Sequence, residues 1–101
     1  MSIDKLTEQI EQWAIDRDLH NAEPSKQMLK VVEELGELSE GIAKGDVNGQ
    51  IDGLGDVYVT LVILAMQLGL DVQGSVQVAY NEISDRKGKM VNGIFVKEDD
   101  L

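Results

Sequence analysis

Apolar residues recur at three- and four-residue intervals along most of the chain, the spacing of helices with one dry face. Ile3, Leu6, Ile10, Trp13 and Ala14 mark a first buried stripe, and Ser2 before them is an N-cap candidate; together they predict a helix over 2–19. His20 to Glu23 read as a polar turn. Pro24 suits a first helical turn, where its missing N–H is not needed, and a second helix is expected over 25–44, ended by Gly45. Gly45-Asp46-Val47-Asn48 turns the chain into a third helix over 48–68, stopped by Gly69. Apolar residues occupy nearly every face of that helix, so it is expected to be the central and most buried one. Asp71 caps a fourth helix over 71–87, with Val72, Val76, Ala79, Tyr80 and Ile83 as its stripe and Gly88 as its end. In the tail KMVNGIFVKEDDL, Val91, Ile94, Phe95 and Val96 are expected to dock on the body, and the acidic end to be loose. No β-rich alternation, internal repeat or linker stands out. The pattern predicts a single domain, 1–101: an all-α four-helix bundle with a short C-terminal tail.

Composition adds constraints. Apolar residues make up 43% of the 101 but aromatics only 4%, so the core must be built from Val, Leu, Ile and Met, and Met28 and Met66 are expected within it. A core this poor in rings makes subunit association an expected way of burying more surface. There is no cysteine, which excludes disulfides and thiolate metal sites. The N-terminus lacks a basic-then-apolar signal, and the apolar run Val57 to Leu68 is shorter than the roughly 20 residues that span a bilayer. A cytoplasmic protein without a membrane partner is the expectation. Net charge is −10, from 19 acidic and 9 basic residues, which argues against binding a nucleic-acid polymer.

Surface solubility accounts for most of these acids, but not for those set against apolar helix faces. With Glu34 at zero on a wheel of about 100° per residue, Leu38, Val31, Ile42, Leu35, Met28 and Val32 form the core face at about +40° to +160°. Glu34 therefore borders the core, Glu37 stands beside it, and Glu33 and Glu40 lean toward water. Lys30 shares the edge of Glu34. On the third helix Asp52 and Asp56 are i,i+4 neighbours with no obviously polar side to occupy. Glu37 with Asp52, and Glu34 with Asp56, are each centred close to Gly45, so an antiparallel hairpin sets them level. Up to four carboxylates are thus expected to converge. Protonation, ion pairing or a divalent cation would relieve their repulsion; an all-oxygen donor set favours Mg²⁺, with Mn²⁺ as a substitute. His20, in a loop, is a surface or substrate-contact residue rather than a ligand.

The segments K30-VV-E33-E34-LG-E37 and D52-GLG-D56, followed by N81-E-ISD-R86-K87, resemble the MazG-like all-α nucleoside triphosphate pyrophosphohydrolases. The similarity runs over about residues 26–89 in the same order and spacing, and the Lys-Met-x-Asn-Gly-x-Phe tail is similar to that of short, phage-type members. It implies Mg²⁺ held by Glu34, Glu37 and Asp56, with Glu33 as an outer helper, and catalytic roles among Glu33, Glu34 and Glu37. The family's Glu-x-x-Asp glutamate would fall on Gly53; Asp52, one position earlier and on the face of Asp56, is the available substitute. Asn81, Arg86 and Lys87 match positions implied to contact substrate phosphate, with Lys89 and Lys30 as further cations; the basic residues equally suit the negative end of a helix. Trp13 is a core residue or a base contact. The implied reaction converts a (deoxy)nucleoside triphosphate and water to the monophosphate and pyrophosphate, in a homodimer or homotetramer. A catalytically lapsed nucleotide- or metal-binding module is the second reading, and a structural bundle with an acidic face for a basic partner the third.

Overall fold

A computed structural model describes residues 1–101. It is mainly helical, with four helices and a small two-stranded sheet: α1 (Ile3–Asp16), α2 (Pro24–Ala43), α3 (Val47–Gln67), α4 (Val72–Ile83), β1 (Gly88–Val91) and β2 (Ile94–Lys97). The helix starts follow from capping chemistry. Ser2, Asp46 and Asp71 each accept a hydrogen bond from the backbone N–H three residues on, satisfying a donor with no helical partner. The ends of α2 and α3 follow from Gly45 and Gly69, whose φ values of 66° and 70° suit glycine. Asp46 N–H donates to Gly41 C=O and Gly45 N–H to Ile42 C=O, the double closure of a Schellman turn, and Leu70 and Gly69 repeat it at the end of α3.

α3 lies at the centre as expected, with α2 packed along it and α1 across its C-terminal half. Its Gly53, Val62 and Ile63 are buried, and Val62 is wholly shielded. Polar side chains pin the packing: Gln27 Nε2 donates to Thr60 C=O, Gln67 Nε2 to Leu19 C=O, and Thr7 and Tyr58 join hydroxyls at 2.6 Å. Although the apolar stretch within it looked short, α3 itself has 21 residues and is long and apolar enough to cross a bilayer by those two measures alone. It also carries Asp52 and Asp56 and is the helix on which the others pack.

Several expectations need correction. The first helix stops at Asp16, not 19, because Asp18 adopts a left-handed conformation (φ 60°) and Leu19–Asn21 form a separate 3₁₀ turn. The fourth stops at Ile83, not 87, and every residue in it except Val72 is exposed, so within one chain it does not close a four-helix bundle. The tail is not a docked coil. It is a β-hairpin in register Met90↔Phe95 and Val91↔Ile94, turned by Asn92 and Gly93 at φ 51° and 81°. Both values are positive, as a type I′ turn requires. Gly88, expected to end α4, instead starts β1 where a Cβ would meet Val96 O at 2.2 Å. The acidic end forms a 3₁₀ turn, Glu98–Asp100.

The apolar stripes are also less covered than their pattern implies. On α1 only Ala14 of the stripe is buried, alongside Thr7; Ile3, Leu6 and Trp13 are exposed. On α2 Val31 is buried, but Met28, Val32, Leu35 and Ile42 are exposed, because α3 is too narrow to cover a stripe that wide.

Candidate metal centre

The acids are positioned by how closely α2 and α3 approach. At Gly41 a Cβ would lie 3.1 Å from Gln50 N, and at Gly53 it would lie 2.9 Å from Leu38 Cα. Glycines on the facing sides bring the backbones together and set the helices' flanking residues edge to edge. Along one flank runs a groove lined by Glu37, Glu40, Gly41, Lys44, Asp46, Gly49, Asp52, Gly53 and Asp56, with no apolar side chain among them.

Carboxylate oxygens of Glu34, Glu37 and Asp56 all lie within 4.8 Å of one another. Glu34 is half-buried, and its Oε2 is shut away from solvent without a hydrogen-bond donor. Burial holds the Glu34 carboxyl above its ordinary range, with the adjoining Glu37 carboxyl adding to the shift, then the charges of Asp56 and Glu33. No base relieves them. The chain's two ion pairs are Lys26–Glu23 and Lys44–Glu40, so Lys26 is engaged about two turns ahead of Glu34 and Lys30 pairs with nothing. An orphaned, dehydrated oxygen among three converging carboxylates fits a hard divalent cation: such an ion accepts oxygen donors only and would satisfy the buried atom.

Three of the four acids expected to converge therefore do so. Asp52 lines the same groove but stands outside the tight cluster. Glu33 and Glu40 are exposed, as the wheel indicates. Gly53 points into α2, so this position cannot carry a ligand here: a side chain would have to displace Leu38. Sequence reasoning missed Lys44, which brings the groove its one cation and holds Glu40 below the ordinary carboxylate range by a hydrogen bond and by its charge. The i,i+4 spacing of Glu40 and Lys44 was the available signal.

The other expected substrate residues lie apart from this groove within the chain. Arg86 and Lys87 line a separate hollow with Glu82, Asp85, Lys97, Glu98 and Asp99. Lys89 is on β1, and Asn81 accepts a hydrogen bond from Gln77. Trp13 is 46% exposed, lines a shallow groove with Leu6, Gln9, Ile10 and Val59, and has the Arg17 guanidinium 4.2 Å from its ring centroid. His20 is half-buried, its Nε2 3.3 Å from the Asn21 amide, away from the acids.

Over 70 residues, 68% of this chain, the sequence is 44% identical to the uncharacterized 18.2 kDa protein in the rep-hol intergenic region of Haemophilus phage HP1 (strain HP1c1). The aligned segment is 43% of that relative, so the chain spans less than half its length. No family model matches, and no solved structure matches.

Proposed function

We propose that the chain is a Mg²⁺-dependent nucleoside triphosphate pyrophosphohydrolase of the MazG-like kind, converting (d)NTP and water to (d)NMP and pyrophosphate. The single observation that carries this reading is the cluster of Glu34, Glu37 and Asp56, with its buried, partnerless Glu34 oxygen. Those three residues would hold the ion, and Asp52 would act from the outer shell along the same groove. When bound, the ion supplies charge neutralisation for the phosphates and a more acidic attacking water. Glu33, exposed beside the cluster, is free to accept a proton from that water; Glu37 is the alternative base.

The substrate's remaining phosphate charge needs donors. Lys30 sits one turn ahead of Glu34 without a carboxylate partner, and Lys44 reaches the groove from the other end. Asn81, Arg86, Lys87, Lys89 and Trp13 serve this site only if a neighbouring copy brings them to it, which agrees with a homodimer or homotetramer. The four-helix bundle would then be completed between chains, and the enzyme would work in the cytoplasm, on free nucleotides rather than nucleic acid or membrane. The runner-up, a catalytically lapsed nucleotide-binding module, draws its support from Gly53 standing where the family carries a ligand.

Pyrophosphate release from a panel of nucleoside triphosphates, with Mg²⁺ and with EDTA, tests the assignment. Metal-dependent release that Glu34→Gln and Asp56→Asn abolish is expected. Nucleotide binding without turnover would favour the lapsed module, and neither binding nor metal dependence would sink both.

A further inference from the structure

Two of the chain's asparagines precede glycine, at Asn48-Gly49 and at Asn92-Gly93. The chemistry open to the pair is the same in both places. The backbone nitrogen after an asparagine can attack the side-chain carbonyl carbon, and glycine hinders that approach least because it has no Cβ. The fold puts the two pairs in opposite circumstances.

Asn48-Gly49 lies in the first turn of α3. Its attacking nitrogen is engaged, since Gly49 N–H donates to Asp46 Oδ1 at 3.1 Å, and freeing it costs the cap. The imide ring that attack would form also holds the asparagine ψ outside the helical range, so the start of α3 must melt first. That start is tied to α2, because Asp46 N–H and Gln50 Nε2 both donate to Gly41 C=O. Charge opposes the reaction as well. Glu40, Asp46 and Asp52 line the groove with Gly49, and a nitrogen that must lose its proton resists doing so in a negative field.

Asn92-Gly93 is the two-residue turn between β1 and β2, and both residues are exposed. Gly93 N–H donates to no backbone carbonyl. A lone hairpin of two four-residue strands is marginally stable, and hairpins re-form in about 1–10 μs. The turn therefore opens far more readily than the capped start of a packed helix. Residues 86–97 include Arg86, Lys87, Lys89 and Lys97 and no acid, so charge within the hairpin favours the deprotonated nitrogen. Glu98–Asp100 lie past the end of β2 remote from the turn.

We propose that Asn92 is a site of spontaneous deamidation, and that the fold protects Asn48 from the same fate. Gly93 N bonds to Asn92 Cγ as the Cγ–Nδ2 bond breaks, and Nδ2 leaves as ammonia with the proton that Gly93 N gives up. One water then opens the cyclic imide. Attack at Cγ restores the main chain with aspartate at position 92. Attack at the main-chain carbonyl carbon leaves isoaspartate, with the chain running through the former side chain. No oxidant, reductant or metal takes part. Either product adds a negative charge, and isoaspartate also adds an atom to the backbone of the turn, which the Val91↔Ile94 register does not accommodate. The modification belongs to the hairpin and is independent of what the acid groove does.

The test holds the full chain folded for several days in mildly alkaline buffer at physiological temperature, beside a sample in denaturant. Both are then digested briefly with trypsin, and the peptides are analysed by mass spectrometry. Cleavage at Lys44, Arg86, Lys89 and Lys97 puts Asn48 in peptide 45–86 and Asn92 in peptide 90–97. In the folded chain, aspartate and isoaspartate are expected in 90–97, ahead of conversion at Asn48 by about tenfold or more. In denaturant that lead is expected to vanish. An unchanged 90–97 peptide from the folded chain overturns the proposal, as does equal conversion at the two sites. A lead that persists undiminished in denaturant overturns the protection assigned to the fold.

Discussion

Gly53 of α3 abuts the backbone of α2 at Leu38, leaving 2.9 Å between a Cβ placed on the glycine and the Leu38 Cα. This contact sets the separation of the two helices that carry the acids. Gly53→Ala is expected to destabilise the fold by about 1–3 kcal/mol through overpacking, despite alanine's better helix propensity. Gly55→Ala, two residues on and with nothing within 4 Å, is expected to stabilise it by about 0.5–1 kcal/mol. Denaturant unfolding of the two variants checks the contrast, and equal effects would show that the close approach is unimportant.

The cluster predicts a graded loss on removing acids. Asp56→Asn is expected to lower metal affinity and any metal-dependent turnover by about 100-fold or more, and Asp52→Asn by about tenfold, the outer-shell range. Mn²⁺ binding measured by electron paramagnetic resonance separates the two without relying on turnover. Equal losses would place Asp52 among the direct ligands.

Acidity provides a third check. The Glu34 carboxyl is raised in the folded chain, chiefly by burial, so its contribution to stability is full below the unfolded carboxylate value and is lost as pH rises through the folded value. Glu40, lowered by Lys44, contributes in the opposite sense: its stabilisation is present above the unfolded value and lost on acidification. That second effect is exposed to solvent and fades with salt. In EDTA and high salt, the melting temperature is therefore expected to decline as pH rises through the titration of Glu34. Glu34→Gln is expected to flatten that decline, and Mg²⁺ to reverse it.

Lys44 predicts an electrostatic effect of opposite sign. Lys44→Gln removes the cation that lines the acid groove and is expected to tighten Mn²⁺ binding a few-fold at low salt, with the gain disappearing at high salt. Calorimetric titration at two ionic strengths measures both parts.

The hairpin should behave as a separate unit. Gly93 holds φ 81° in the turn, so Gly93→Ala is expected to cost the hairpin about 1–2 kcal/mol. Amide exchange at Met90 and Phe95 should accelerate while the helical circular dichroism melt hardly moves. A matching drop in the helical melt would mean that the hairpin supports the body.

Much of this arrangement is legible in the chain. Glu34 and Asp56 pair from the sequence because both are spaced about Gly45 in a helical hairpin, and Ser2 and Asp71 mark their caps unaided. The β-hairpin, although the apolar pattern of the tail suggests a docked coil, has its own mark in the sequence: Val91-Asn92-Gly93-Ile94 carries the Asn-Gly signature of a two-residue turn between apolar residues. The cover of each apolar face was not legible. Periodicity shows that Leu35 and Leu54 belong to dry faces, but it does not say whether the covering atoms come from the same chain. Nor does a glycine at position 53 announce whether it vacates a ligand position or admits a neighbouring backbone; only the distance to Leu38 decides that.

The ends of the three-carboxylate cluster, Glu34 and Asp56, lie only 22 residues apart, joined by one tight reversal. Bringing its parts together closes a short loop, the inexpensive kind of search in chain folding, where local helical contacts form in microseconds to milliseconds. The acids are thus brought together by contacts within one hairpin, with no residue of the C-terminal third among them. A divalent ion held there would therefore act as a clasp on the hairpin alone, tying its two arms across their one reversal.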